Sequence, residues 1–194
     1  MRTVHPVEAE SYRRLRAAVD TSGLPPRTRD VVERIIHTTA DPGWLDDLVT
    51  DEAALEAGAA ALATGAPLVV DVTMVAAGIT GYPAVCHLAE VARAEGMTRA
   101  AAAIRLAADE VSDGAVWAVG NAPTALAELL RLAGTGRIRP ALVVGVPVGY
   151  VGAAQAKAAL RATGLPQLSN RSARGGSAVA AAAVNALRYG DPLA

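Results

Sequence analysis

The stretch "ALVVGVPVGYVGAAQAK", residues 141–157, decides the fold. Six residues of continuous apolar composition, 141–146, have the makeup of a strand buried on both faces. A glycine-rich loop follows, and from about Gly152 the small and long-stemmed residues of a helix begin. Strand, loop and helix in that order are half of a βαβ unit. The same order recurs on either side. "AVWAVG" (115–120) precedes a helix opened by Pro123, "PLVVDV" (67–72) is a short apolar run of strand composition, and "PQLSN" (166–170) leads to a helix from about Gly175. A helix over 98–111, "TRAAAAIRLAADEV", is capped by Thr98. Continuous apolar strands alternating with helices of ten or more residues predict an α/β fold, a central mainly parallel sheet covered by helices on both faces.

Upstream, three helices precede the alternation. Residues 7–20 place Val7, Ser11, Leu15, Ala18 and Val19 near one face. Pro26 opens a second helix with Val32, Ile35 and Ile36 as its stripe and His37 at the stripe's end. The third starts at Thr50 or Asp51 and closes on Gly65. The first two are expected to be added against the sheet or against a second subunit. With no linker, charge block or low-complexity tail, one domain over residues 1–194 is expected.

Composition narrows the function. A net charge of −1 and 3% aromatic residues provide neither the basic field nor the stacking surface of a nucleic-acid binder. The single cysteine, Cys86, in the apolar "PAVCHL", excludes an intramolecular disulfide and a multi-cysteine metal site, and is expected to be a quiet buried thiol. The longest alanine-rich run, "SAVAAAAVNAL", is too short and too weakly apolar to span a bilayer. The N-terminus has no apolar leader core, so a cytoplasmic protein is expected. Phe is absent and alanine abundant, which predicts close approach of helices to the sheet.

Ligands of open parallel sheets bind at the carboxyl ends of the strands, where helix N-termini and free amides converge. The loop in 146–152 lacks both the Gly-Lys-Ser/Thr of a P-loop and the G-x-G-x-x-G order of a dinucleotide site, so a nucleotide-binding module is disfavoured. Lys157, the only lysine among 18 basic residues, is expected to be a solvated helix position. In "RSARGGS" (171–177), Arg171 and Arg174 precede Gly175, Gly176 and Ser177, a composition suited to a carboxylate or phosphate at a helix start.

Together "SYRRLR" (11–16), "RIIHTTAD" (34–41), "DVTMVAAGIT" (71–80), "TRAAAAIRLA" (98–107), "VGNAPTAL" (119–126), "GVPVGYVGAAQAK" (145–157) and "GGSAVAAAAVNAL" (175–187) resemble the precorrin-8X methylmutase family, in the family's order. The resemblance implies an α/β fold, a homodimer with active sites near the subunit interface, and neither metal nor organic cofactor. It implies migration of a methyl group from C-11 to C-12 of a corrinoid ring, with or without cobalt. By the same resemblance His37 is the catalytic histidine, Ser11 lies near the substrate and Arg99 contacts it. A flat apolar ring edged by carboxylates suits arginines at its rim and Met74, Val75, Gly78 and Ile79 at its face. The chain departs from the family at Gln155-Ala156, where Glu-Ser is common, and at Ser172-Ala173, where Gly-Arg is common. The second departure removes an expected arginine, leaving a corrinoid-binding paralogue without turnover as the alternative reading.

Overall fold

A computed structural model describes residues 4–92, 96–111 and 113–193. Five strands form one sheet in the order β1-β5-β4-β3-β2: β1 (Leu48–Thr50), β2 (Leu68–Val70), β3 (Val116–Val119), β4 (Leu142–Gly145) and β5 (Gln167–Asn170). Strands β2 to β5 run parallel, each beside its neighbour in sequence. The antiparallel edge strand β1 pairs with β5 in the register Val49 to Ser169. Sequence reading misses β1 because three half-buried residues carry no usable periodicity.

Alternation through the pleat divides two cores. Leu68, Val70, Val116, Ala118, Leu142 and Val144 point to one face. Val69, Trp117, Val119 and Val143 point to the other. Helices α6 (Arg99–Glu110), α7 (Pro123–Gly134) and α8 (Ala153–Arg161) cover the Trp117 face. Right-handed crossovers stepping always in one direction across a sheet put their helices on one side, which accounts for this grouping. It also means that β2–β5 contain no reversal of strand order, so the switch-point crevice expected for an open parallel sheet is absent from them.

The opposite face is covered by α4 (Glu52–Ala63), α5 (Thr73–Gly78) and α9 (Ser177–Tyr189). Helices α1 (Pro6–Ala18) and α2 (Pro26–Thr39) form a further layer, α2 packing chiefly on α9 and α1 on α2. The short α3 (Trp44–Asp47) leads into β1. Asp51 caps α4 by accepting from Ala54 N at 2.8 Å, and Thr98 caps α6 by accepting from Ala101 N, as expected. Glu52 caps α2 from outside, its carboxylate accepting from the amides of Arg27 and Thr28 at 2.7 and 2.9 Å. A glutamate from a different helix replaces the missing side-chain cap at Pro25, which no local pattern could reveal.

Small residues bring α9 down onto the sheet. At Gly120 a Cβ would lie 2.8 Å from Ala180 Cβ and 2.9 Å from Ser177 Cα, so only glycine permits this approach. Four sequence expectations need correction. Val7 is 71% exposed and Ala18 is exposed too; Tyr12, Leu15 and Val19 form the inward face of α1. Lys157 is fully buried rather than solvated. The stripe in α5 divides, with Val75 and Ile79 in the core and Met74 and Gly78 exposed. Cys86 is half-buried against the core, and burial pushes its thiol pKa up.

Candidate active site

Helix α2 is buried over six consecutive residues, Val31 to Ile36, and emerges at His37. The first turn after His37 ends the helix, because Ala40 takes a left-handed conformation (φ 52°) while its N–H still donates to the Ile36 carbonyl. His37 is therefore held in a packed last turn but reaches the edge of the core. Helix α1 lies across it. Ser11 Oγ stands 2.8 Å from His37 Nδ1, and the Tyr12 ring stacks on the imidazole with centroids 4.9 Å apart and planes 22° from parallel. Among the described residues His37 Nε2 has no hydrogen-bond partner, so the imidazole is anchored on one nitrogen and available on the other.

A cavity of about 510 Å³ lies against this pair, lined by His5, Val7, Glu8, Ser11, Arg34, His37 and Thr38. A larger groove, about 780 Å³, runs between α4 and the end of α9 past Arg27, Tyr82 and Arg188. It contains no residue of the Ser11–His37 arrangement and its Arg188 is committed to the carbonyl of Gly81 and the rings of Tyr82 and Tyr189. Chemistry rather than size selects the smaller cavity.

The electrostatics of His37 are opposed. A helix C-terminus favours an imidazolium, yet burial first, and the Arg34 guanidinium second, hold its pKa below the ordinary imidazole range against the contrary pull of Glu8. The ring is neutral near pH 7. A neutral imidazole bound at Nδ1 can donate or accept one proton at Nε2, which is the equipment of a general acid–base group. Sequence reading selected Ser11 and His37 but missed Tyr12 and Arg34. The spacing of Arg34 and His37, i and i+3, was the available signal.

The loop 171–176 is organised differently. Asp47, at the end of α3, accepts from the amides of Arg171 and Ser172, from the Ser172 hydroxyl at 2.6 Å, from Asn170 Nδ2 and from Arg174. Burial alone would raise its pKa; these bonds outweigh burial and bring it down to about 2. Arg174 also pairs with Asp41 and lies 5.0 Å above the Trp44 ring. Arg171 donates to the Asp46 carbonyl. Gly176 N–H is spent on the Val146 carbonyl, and Ser177 is buried. Both arginines thus have carboxylate or carbonyl partners within the chain. Ser172 supplies a hydroxyl to this staple.

Beneath the loop Lys157 Nζ donates to Asn170 Oδ1 at 2.8 Å and to the Arg174 carbonyl at 2.6 Å. Burial, and to a lesser degree the cations Arg161 and Arg174, lower its pKa to about 8 despite the attraction of Asp47. Asp71, likewise unselected from sequence, is fully buried at the end of β2. It accepts from the amides of Gly120, Asn121 and Ala122 at 2.8–3.0 Å, fastening the "GNAP" loop.

The structure brings Ser11 and His37 together and leaves Arg99 apart from them. Arg99 opens α6, on the Trp117 face, and donates to the carbonyls of Val91 and Leu88 at 2.9 Å each. Met74 and Gly78, exposed on α5, and Arg171, Arg174, Gly175, Gly176 and Ser177 do not line the His37 cavity either.

A family model for precorrin-8X methylmutase matches residues 6–189. This chain belongs to that family. The precorrin-8X methylmutases are isomerases, and the chain is one of them by this match. It is 43% identical over 162 residues to cobalt-precorrin-8 methylmutase of Methanocaldococcus jannaschii, covering 81% of this chain and 77% of that protein. It is 41% identical over 191 residues to precorrin-8X methylmutase of Pseudomonas aeruginosa, covering 92% and 91%. Among solved structures, precorrin-8X methylmutase from Thermus thermophilus superposes with a TM-score of 0.86 at 38% identity, over 93% of each chain. The methylmutase match spans all the elements from α1 to α9, so it includes both the Ser11–His37 pair and the Asp47 staple.

Proposed function

We propose that this methylmutase moves a methyl group from C-11 to C-12 of a corrinoid ring, converting precorrin-8X, or its cobalt-containing equivalent, in cobalamin biosynthesis. The observation that carries the proposal is the Ser11–His37 pair at 2.8 Å, with the second imidazole nitrogen available at the cavity. Migration of a methyl group along a conjugated ring relocates electron density, and a positioned Nε2 proton or hydrogen bond stabilises that redistribution in the transition state. His37 is the proton or hydrogen-bond donor. Ser11 orients it, and Tyr12 supplies the flat surface that fixes the ring plane.

The cavity of one chain is lined by α1 and α2 alone, whereas a ring with several carboxylates needs a larger enclosure. A homodimer supplies it. Arg99, Met74 and Gly78 then act on a substrate shared between subunits, Arg99 through a guanidinium edge beyond its two carbonyl contacts, while the 171–177 loop, its charges spent within the chain, shapes the wall beside it. An exposed apolar tip at Val148, Tyr150 and Val151 supports burial of that region in such an assembly. The partners are a small corrinoid and a second copy, with no nucleic acid and no membrane, and the protein works in the cytoplasm. Among the described residues no helix is long and apolar enough to cross a membrane. No organic cofactor or resident metal takes part; cobalt, where present, belongs to the substrate.

Incubation with precorrin-8X and, separately, with the cobalt form tests this directly, because moving the methyl group alters ring conjugation and hence the visible spectrum. Conversion of either ring supports the proposal. Binding of both without spectral conversion overturns it in favour of a binding paralogue.

A further inference from the structure

Arg34 is buried, its side chain 9% exposed, one turn before His37 on α2. Among the described residues its Nε and one terminal nitrogen have no hydrogen-bond partner. Two unsatisfied donors on a buried guanidinium are costly, because their lost hydration is not replaced. Such a cost in a packed helix points to a role other than stability. The remaining nitrogen lies 3.6 Å from Glu8, a separation too long for a hydrogen-bonded pair, so the cation is only partly offset. Arg34 Cζ lies 5.9 Å from the centre of the Tyr12 ring, whose stacking on His37 puts cation, aromatic ring and imidazole in one contiguous group.

We infer that Arg34 is a positioning residue whose buried cation, together with the Ser11 hydroxyl, holds His37 as a neutral imidazole presenting Nε2–H to the cavity. The physical logic has two parts. A fixed positive charge close to an imidazole in a poorly solvated setting disfavours a second positive charge. Ser11 completes the arrangement: its hydroxyl, 2.8 Å from Nδ1, can donate to that nitrogen, and in that tautomer the one ring proton is on Nε2, facing the cavity. Among the described residues the charged and titratable groups around the ring are few. From α1 they are Glu8 and the cap residue His5, and from α2 Arg34 itself. Asp41, just past the helix end, is occupied by Arg174. Burial lowers the His37 pKa most; of the two charges, which act in opposite senses, the Arg34 guanidinium outweighs Glu8 and adds to the effect of burial.

This inference rests on the reading of His37 as the working donor, but its first test needs no substrate and no turnover. The imidazole signals of the free protein are followed by NMR through a pH titration, His37 being assigned by their loss in His37→Asn and His87 serving as the distant reference. Arg34→Met should raise the pH at which His37 titrates, Arg34→Lys should keep it near the parent's, and Glu8→Gln should lower it. His87, held by Glu90 and Glu110, should not move in any of them. Activity gives a second readout. The acid limb of the kcat–pH profile should move to higher pH in Arg34→Met and return in Arg34→Lys. If Arg34→Met and Glu8→Gln leave the His37 titration unchanged, or move it the same way, the inference is overturned. Should Arg34→Met fail to fold, opposite outcomes remain available from the other two variants: a parent-like lysine variant with a lowered Glu8→Gln titration supports it, and an unmoved Glu8→Gln refutes it. A correct NMR pattern in a protein that converts neither ring would sink the methylmutase reading and leave the electrostatic arrangement standing.

Discussion

The α1–α2 corner and the loop at 171–176 hold the two groups of polar residues that a reader of the sequence would choose for a site, and the fold treats them oppositely. At the corner a half-buried imidazole is bonded through one nitrogen and open at the other, beside a cation that is incompletely paired. In the loop every charged group is spent: Asp47 gathers five bonds, Arg174 divides itself among Asp41, Gly43 and Asp47, and Lys157 fills the space below. Residue type alone marked both places as chemical. Unsatisfied bonding capacity distinguishes a group that can act on a substrate from one that holds the chain in shape.

The sharpest way to break this contrast is at His37. His37→Ala should lower turnover by roughly 10²–10⁴-fold while corrinoid affinity changes far less, because the donor strengthens its interaction only toward the transition state. The stability of this variant should stay close to the parent's, as the side chain lies at a helix end. Steady-state kinetics with a parallel binding titration measure both. Parent-like kcat under conditions where chemistry limits the rate would remove His37 from the mechanism and move the search to Ser11.

Asp47→Ala should behave in the reverse manner, costing about 2–3 kcal/mol of folding stability because the amides of Arg171 and Ser172, the Asn170 side chain and Arg174 lose their common acceptor. Chemical denaturation gives the value. A loss below about 1 kcal/mol would show that the staple is not what organises the loop. The same carboxylate predicts a pH dependence. Its folded pKa, about 2, is below the unfolded value of about 3.9, so its stabilisation is complete above the unfolded value. It is lost as the pH falls from about 4 toward 2, and Asp47→Asn should flatten that part of the stability–pH curve.

A smaller effect is expected at Gly175. Its backbone has φ +155°, and a Cβ there would lie 2.2 Å from the Val146 carbonyl oxygen. Gly175→Ala should cost about 1–3 kcal/mol and displace the loop, raising KM more than it lowers kcat if the loop meets substrate. The smallest change belongs to Arg171, exposed and bonded through its side chain to one carbonyl. Arg171→Ala should alter stability by no more than about 0.5 kcal/mol. A large loss of corrinoid affinity in that variant would show that the loop does contact the ring's carboxylates.

Much of the architecture was legible because it depends on neighbours along the chain. Apolar runs at 115–120 and 141–146, Asp51 and Thr98 as caps, and Pro26 and Pro123 as helix openers act within one or two turns of themselves. Their consequences appear at those places in the structure. The identity of the catalytic candidates was also local, carried by motifs around Ser11 and His37. Strand β1, the Glu52 cap on α2 and the burial of Lys157 escaped because each depends on a partner distant in sequence. Thr50 bonds to Gln167, Glu52 to Arg27 and Thr28, and Lys157 to Asn170 and Arg174.

What the sequence determined by itself is therefore an α/β chain of this family with a histidine at the end of a buried helix, since periodicity, capping and motif order are written residue by residue. Only the tertiary structure decided which polar groups remain open. Hydrogen bonds saturate: a carboxylate 127 residues away, Asp47, quiets Arg174, while among the described residues no partner closes Nε2 of His37. The folded chain alone establishes those pairings, because they depend on distances of about 3 Å between segments whose separation along the chain carries no such information.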